Sequence, residues 1–188
     1  MQRLLRGSSL QGIIAFIQQG LDPVQRARVE AALPTDRVDS KQISTHEYYA
    51  LERSNELVRA IAALTDDPEK RYELFIQCGR FIAEDAINTF LRLLIKFLKP
   101  SLFARKYGDF FRRVHNFGKV QASGIEEHRF VLEMTDVEGY EYSGPICIGF
   151  IVHTLGAMGC KDLRVKETIS PPPGLQNVSA YRFEVAWS

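Results

Sequence analysis

Apolar positions recur every three or four residues as far as Val114 and every second residue in stretches after Gly118, so the chain predicts helices first and strands later. Leu10, Ile13, Ile14 and Ile17 form one stripe of a helix that Ser8 or Ser9 would cap and Gly20 would stop. A second short helix opens near Pro23, carries Val24, Val29 and Leu33, and ends before Pro34. The polar run PTDRVDSKQIS reads as turns. Thr45 is placed to cap the next helix, packed through Tyr48, Tyr49, Leu51, Leu57, Val58 and Ile61. A long helix from Pro68 to about Phe97, opened by Asp66 and Asp67, sets Phe75, Cys78, Ile82, Ala86, Thr89 or Phe90, and Leu93 at helical spacing. Gly79 in its interior costs about 1 kcal/mol relative to alanine, which points to close approach of a neighbouring helix or a ligand. The almost uniformly apolar stretch from Phe90 to Leu98 suits deep burial or a subunit interface. The next helix, Ser101 to Val114, packs Leu102, Phe103, Phe110 and Phe111, while Arg105, Lys106, Arg112 and Arg113 make its outer side basic.

Beyond Gly118, HRFVLEMT puts Phe130, Leu132 and Met134 on one face, and YRFEVAW does the same with Tyr181, Phe183, Val185 and Trp187. Val120 belongs to an earlier short strand that would pair with the first of these, and Leu163 and Val165 mark another. Between them, Pro145 to Met158 reads as a helix stopped by Gly159, and SPPPGLQN is too rich in proline for a sheet. Repeats, heptads and linkers are absent from the pattern. The expectation is one α+β domain over residues 1–188: an N-terminal helical layer packed on a small, mainly antiparallel sheet with one crossover helix.

Charge narrows the partners. The 188 residues carry 24 Lys+Arg against 23 Asp+Glu, a net charge of +1, which lacks the bulk basic footprint of a nonspecific nucleic-acid binder. Cys78, Cys147 and Cys160 have no pairing rhythm and read as buried thiols in a reducing compartment. Gln11, Gln18 and Gln19 break the N-terminal apolar run, so no signal peptide is expected. The longest apolar stretch, ICIGFIVHTLGAMG, falls short of the ~20 residues that span a bilayer. A cytoplasmic chain without membrane insertion is expected.

Specific catalytic signatures are missing: no Gly-rich phosphate loop, Cys-x-x-Cys, His-Glu-x-x-His or Gly-x-Ser-x-Gly occurs. His46, His115, His128 and His153 are not spaced as a compact metal site, and neighbouring Glu84 and Asp85 would point apart on a helix. No nucleophile, base and orienting group can be nominated together, so neither catalysis nor a metal is expected. His115 stands out because it follows a basic, aromatic helix: a neutral imidazole there can ligate iron, or simply bond a terminal carbonyl. The basic cluster, interleaved with Phe103, Tyr107, Phe110 and Phe111, can face an acidic partner or form the helix's wet side.

The stretch EYYALERSNELVRAIAALTDDPEKRYELFIQCGRFIAEDAI, followed by FFRRVHNFG, HRFVLEMTD, GPICIGFIVHTLGAMGC and YRFEVAW, resembles a known superfamily. That superfamily joins haem nitric-oxide/oxygen-binding domains, TRAPP vesicle-tethering subunits and small-molecule-binding 4-vinyl reductase domains. The resemblance is strongest to a related uncharacterised domain family described mainly from myxobacteria. The haem branch implies a proximal histidine, for which His115 is the equivalent, and a Tyr-x-Ser-x-Arg clamp on the propionates. Here Tyr140-Glu141-Tyr142-Ser143-Gly144-Pro145 has its tyrosines and serine out of register and no arginine. The expectation is therefore no cofactor, with haem on His115 as the lesser alternative.

The 4-vinyl reductase branch implies a pocket between helices and sheet for a small apolar or aromatic ligand, near Phe75, Gly79, Phe90, Phe110, Phe111, His115 and Phe150. The TRAPP branch implies dimerisation and a platform for other proteins. The leading expectation is a noncatalytic, homodimeric bacterial adaptor or regulatory module that binds another protein, with Arg105, Lys106, Arg112 and Arg113 as its basic rim. The alternative is a sensor for a small apolar ligand.

Overall fold

The computed structural model describes residues 2–86, 95, 98–170 and 178–188. Thr89, Phe90, Leu93 and the predicted end of the long helix at Phe97 lie outside them.

The helical layer forms where the apolar stripes predict it. Helix α1 (Gly7–Ala15) buries Leu10, Ile13 and Ile14, and widens at Phe16–Gly20 into a π-helical turn that buries Phe16 and Ile17. The Asp22 carboxylate accepts hydrogen bonds from the Val24 and Gln25 amides, and Gln25 returns one to Asp22, so a capping box starts α2 (Pro23–Ala32). A short helix, α3 (Thr35–Val38), follows within the segment expected to be turns. Helix α4 (Leu51–Ala62) buries Leu57, Val58 and Ile61. The Asp67 carboxylate accepts from the Glu69 and Lys70 amides at the start of α5 (Pro68–Ala86).

Two cap assignments are corrected. Ser8 and Ser9 lie inside α1, whose first amide, on Gly7, donates to the Glu47 carbonyl at 2.9 Å. Thr45 does not open α4; strand β2 (Tyr48–Ala50) intervenes and pairs antiparallel with β1 (Leu4–Arg6), Leu5 opposite Tyr49. A backbone partner thus does the work assigned to side-chain caps. Gly7 permits it, because a Cβ there would collide with the Ser44 carbonyl.

Helix α6 (Pro100–Val114) leads into a four-stranded antiparallel sheet of order β3-β4-β6-β5. The strands are β3 (Lys119–Ser123), β4 (Arg129–Thr135), β5 (Arg164–Ser170) and β6 (Ala180–Ala186), and α7 (Ser143–Ala157) crosses between β4 and β5. Phe130 faces Val185, Leu132 faces Phe183 and Met134 faces Tyr181 across the central pair, all of them buried. One face of the sheet therefore meets α6 and α7, as the period-two pattern requires. The predicted α+β architecture is present: helical layer, small antiparallel sheet, one crossover helix. Among the described residues no helix is long and apolar enough to cross a membrane.

The core has two parts. One gathers aliphatic residues of α1, α2, α4 and α5; the other sets Phe103, Tyr107 and Phe111 of α6 and Ile148, Ile151 and Leu155 of α7 against the sheet. Helices α5 and α7 join them at reciprocal glycines. A Cβ on Gly79 would collide with the Ile146 carbonyl, and one on Gly149 with the Ile76 carbonyl. The price of Gly79 is therefore repaid by helix-on-helix contact.

Candidate functional site

Two places on α6 concentrate the predicted residues. At its C-terminal end His115 is 8% exposed and enclosed by aromatic rings. Phe111 stacks on it at 4.1 Å, while Phe117 and Tyr140 lie 5.4 and 5.2 Å away. Its Nδ1 lies 3.1 Å from the Phe111 carbonyl and its Nε2 lies 3.2 Å from the Tyr140 hydroxyl. A carbonyl only accepts, so Nδ1 carries the proton and Nε2 accepts from Tyr140. Burial pushes the imidazole down to about pKa 4, so it is neutral at physiological pH. The N-terminal strand braces this end: Leu5 bridges His115, and the Asn116 amide donates to the Leu4 carbonyl at 3.1 Å.

The second place is a cavity of about 130 Å³ between α6 and α7. Leu102, Phe103 and Phe110 line it from α6 and Phe150, Thr154 and Met158 from α7 and its end, and Ala86, Ile95 and Leu98 also border it. Leu102 and Phe110 are 41% and 40% exposed and open it to solvent. Thr154 is buried, and among the described residues its Oγ1 has no hydrogen-bond partner.

The residues expected around one pocket separate. Phe110 and Phe150 border the cavity, whereas Phe111 packs on His115. Phe75 stacks on Tyr142 at 4.1 Å in the aliphatic core, and Gly79 meets α7 backbone instead of ligand space. Phe90 falls outside the described residues. The basic rim also divides. Asp109 pairs with Lys106 at 3.2 Å and Arg112 at 2.6 Å, and Lys106 borders the cavity. Arg105 and Arg112 instead border an open groove of about 840 Å³ between α6 and β3, which also reaches His115.

Thr154, Leu102 and Met158 were not among the predicted site residues. Leu102 and Met158 carried only the apolar signal of any packing residue, and Thr154 gave none, since a threonine in an apolar helix normally bonds its own preceding turn. Among the described residues no group of three or more His, Cys, Asp or Glu is placed to hold a metal ion. Burial pushes the Cys147 thiol up to about pKa 11 and the Cys78 thiol higher, so neither forms a ready thiolate.

No protein-family model matches the chain, and no curated protein matches it. Solved structures do. The Fe(II) unliganded H-NOX protein from K. algicida matches with a TM-score of 0.70 at 7% identity, covering 98% of this chain and 97% of its own. A variant of the T. tengcongensis H-NOX gives 0.70 at 11% identity, covering 98% of each. An oxygen-binding H-NOX domain related to soluble guanylate cyclases gives 0.68 at 9% identity, covering 98% of this chain and 95% of its own.

These matches correct the expectation of a cofactor-free chain. A further structure of the same fold, with a TM-score of 0.65 at 13% identity, is described by its haem redox potential and porphyrin distortion, so haem cannot be set aside on the sequence pattern alone. The packing of this chain fits haem poorly. Both nitrogens of His115 are occupied by protein partners, and the cavity between α6 and α7 does not reach it; the groove that does is open and bordered by Arg105, Asp109 and Arg112. Arg3 and Arg59, the cations at the Glu138–Glu141 turn, are paired with Glu138 and Glu141. What the comparisons establish is architecture: over almost its whole length, this chain has the α+β fold of the H-NOX domains.

Proposed function

We propose that residues 1–188 form one noncatalytic sensor domain that takes a small, mainly apolar ligand between α6 and α7. The cavity carries this reading: apolar side chains on two facing helices, open to solvent beside Leu102 and Phe110, in a chain with the H-NOX fold. The same likeness favours a sensor over the adaptor that the sequence put first, because the matched proteins include oxygen-binding and haem domains. The finer affinity to the mainly myxobacterial family belongs to this proposal. So does a homodimer or protein partner that receives the signal, with Arg105 and Arg113 on the basic side of α6.

Titration with toluene, followed through the Met158 methyl resonance, tests it. Saturable shifts are expected, and Leu102→Trp, which fills the mouth, abolishes them. A resonance unmoved at millimolar toluene overturns the reading.

A second reading, haem on His115, is favoured by the buried neutral imidazole. A saturable Soret band on haemin titration that is lost in His115→Ala supports it; absorbance of free haemin alone rejects it.

A further inference from the structure

We propose that the groove between α6 and β3 receives an extended, acidic segment of a partner protein, laid along β3 with its carboxylates on Arg105 and Arg112. This gives a place and a chemistry to the partner in the sensor reading. The groove measures about 840 Å³ and is bordered by described residues. Gly108 sets its floor: a Cβ there would lie 2.3 Å from the Val120 carbonyl oxygen, so the helix backbone rests directly on the strand. Arg105, Asp109 and Arg112, at positions i, i+4 and i+7, form one stripe of α6 along the rim. Half-buried Val120, Ala122 and Ile125 supply carbon on the other side.

Charge, openness and strand order select the occupant. Three cations, Arg105, Arg112 and Lys119, border the groove against one carboxylate, Asp109. Arg112 pairs with Asp109 at 2.6 Å and Lys119 with Asp136 at 3.1 Å, whereas Arg105 makes no ion pair among the described residues. Exposed pairs of this kind contribute little, so incoming carboxylates exchange for them readily. A small anion would stay mostly in water in so open a groove, while small-ligand sites bury most of their ligand. An extended chain suits it better. Strand β3 ends the sheet order, so among the described residues no further strand covers its outer side. Its five residues span about 17 Å, and alternate residues of a strand laid beside it face one way about 7 Å apart. Alternating acidic and small apolar residues thus offer carboxylates to the arginines and carbon to Val120 and Ala122. A nucleic acid would need a wider basic surface than a chain of net charge +1 provides.

Fluorescence polarisation of a labelled heptapeptide of alternating glutamate and alanine, titrated with the full chain, tests this. Saturable binding below about 1 mM is expected, with none for the lysine–alanine counterpart. Arg105→Glu and Arg112→Glu each weaken it at least about tenfold, since a like charge replaces an opposite one. Arg80→Glu, the same charge change at an exposed site on α5, leaves it within about twofold. No saturable binding, equal binding of the lysine peptide, or equal losses in Arg80→Glu and Arg105→Glu overturn the proposal. So does displacement by free glutamate at the same carboxylate concentration, which would make this a small-anion site. A concentration-dependent dimer that Arg105→Glu dissociates would give the groove to a second copy and overturn it too. The toluene-dependent Met158 shift separates the two readings: where it persists without peptide binding, the small-ligand reading stands and the groove alone falls.

Discussion

Helix α7 packs against two neighbours in opposite ways. Toward α5 it offers Gly149, meets Gly79, and lets two backbones touch. Toward α6 it offers Phe150, Thr154 and Met158, meets Leu102, Phe103 and Phe110, and leaves a cavity. Small residues let helices approach until carbonyls set the limit; large aromatic residues hold them apart and seldom tile the gap completely. The closed contact joins the two core regions, while the open contact has space to recognise something. A ligand that bridged α6 and α7 would act on the joint that remains adjustable, with the α5–α7 contact as its fixed reference.

The sharpest way to break this contrast is to add one carbon to each kind of glycine. In a helix interior, Gly→Ala ordinarily stabilises by up to about 1 kcal/mol. For Gly79→Ala and Gly149→Ala the sign reverses, because the new methyl meets a backbone carbonyl that cannot rotate away. A loss of about 4 kcal/mol each is expected, above the usual overpacking cost of about 1–3 kcal/mol. Gly156 on the same helix is the control: its Cβ would meet only Leu163 Cδ1 at 3.9 Å, so Gly156→Ala should gain stability. Urea denaturation of the three variants checks all three signs. Stabilisation by Gly79→Ala would remove the closed contact from the argument.

Much of this fold was legible along the chain because its signals are local. Pro23 marks a helix start, and the alternation in HRFVLEMT and YRFEVAW marks strands whose inward residues pair across the sheet. The β1–β2 pair was missed because each strand has three residues, too few for a period to emerge, and its role in capping α1 depends on residues far apart in sequence. The site was only half legible for the same reason. Gly79 was readable as a close approach, but its partner Gly149 lies in another helix and gives no warning. Phe110 and Phe150 could be named as aromatic candidates; Thr154 could not, since its distinction is a missing hydrogen bond, which exists only in three dimensions.

The two ends of α6 extend the comparison. His115 closes one end with every nitrogen used, and its protonation would break that closure. In the folded chain it titrates near pH 4, whereas an unfolded imidazole titrates near 6.5. Between those values the unfolded state binds more protons, so stability is complete above about pH 6.5 and declines as pH falls toward 4, by about 3 kcal/mol in all. Other carboxylates titrate over part of this window, so the test is a difference between wild type and His115→Gln. Urea midpoints at pH 7, 5.5 and 4.5 should fall more steeply for the wild type. Parallel profiles would mean that His115 is hydrated, and that this end of α6 is as loose as the cavity.

The smallest expected effect is also the most direct test of the open contact. Thr154→Val exchanges an unpartnered hydroxyl for a methyl of the same shape, within a lining that is already apolar. Removing a polar group that makes no hydrogen bond in the folded state relieves its desolvation cost, so the variant should be more stable than wild type by about 1 kcal/mol without ligand. Thermal unfolding would record a rise of a few degrees for a chain of this size. Threonine to valine in a well-bonded helix site does the opposite, because it discards a bond to the preceding turn. A fall in Tm would therefore mean that the Thr154 hydroxyl is satisfied within α7, and the helix would carry no unpartnered group beside the cavity.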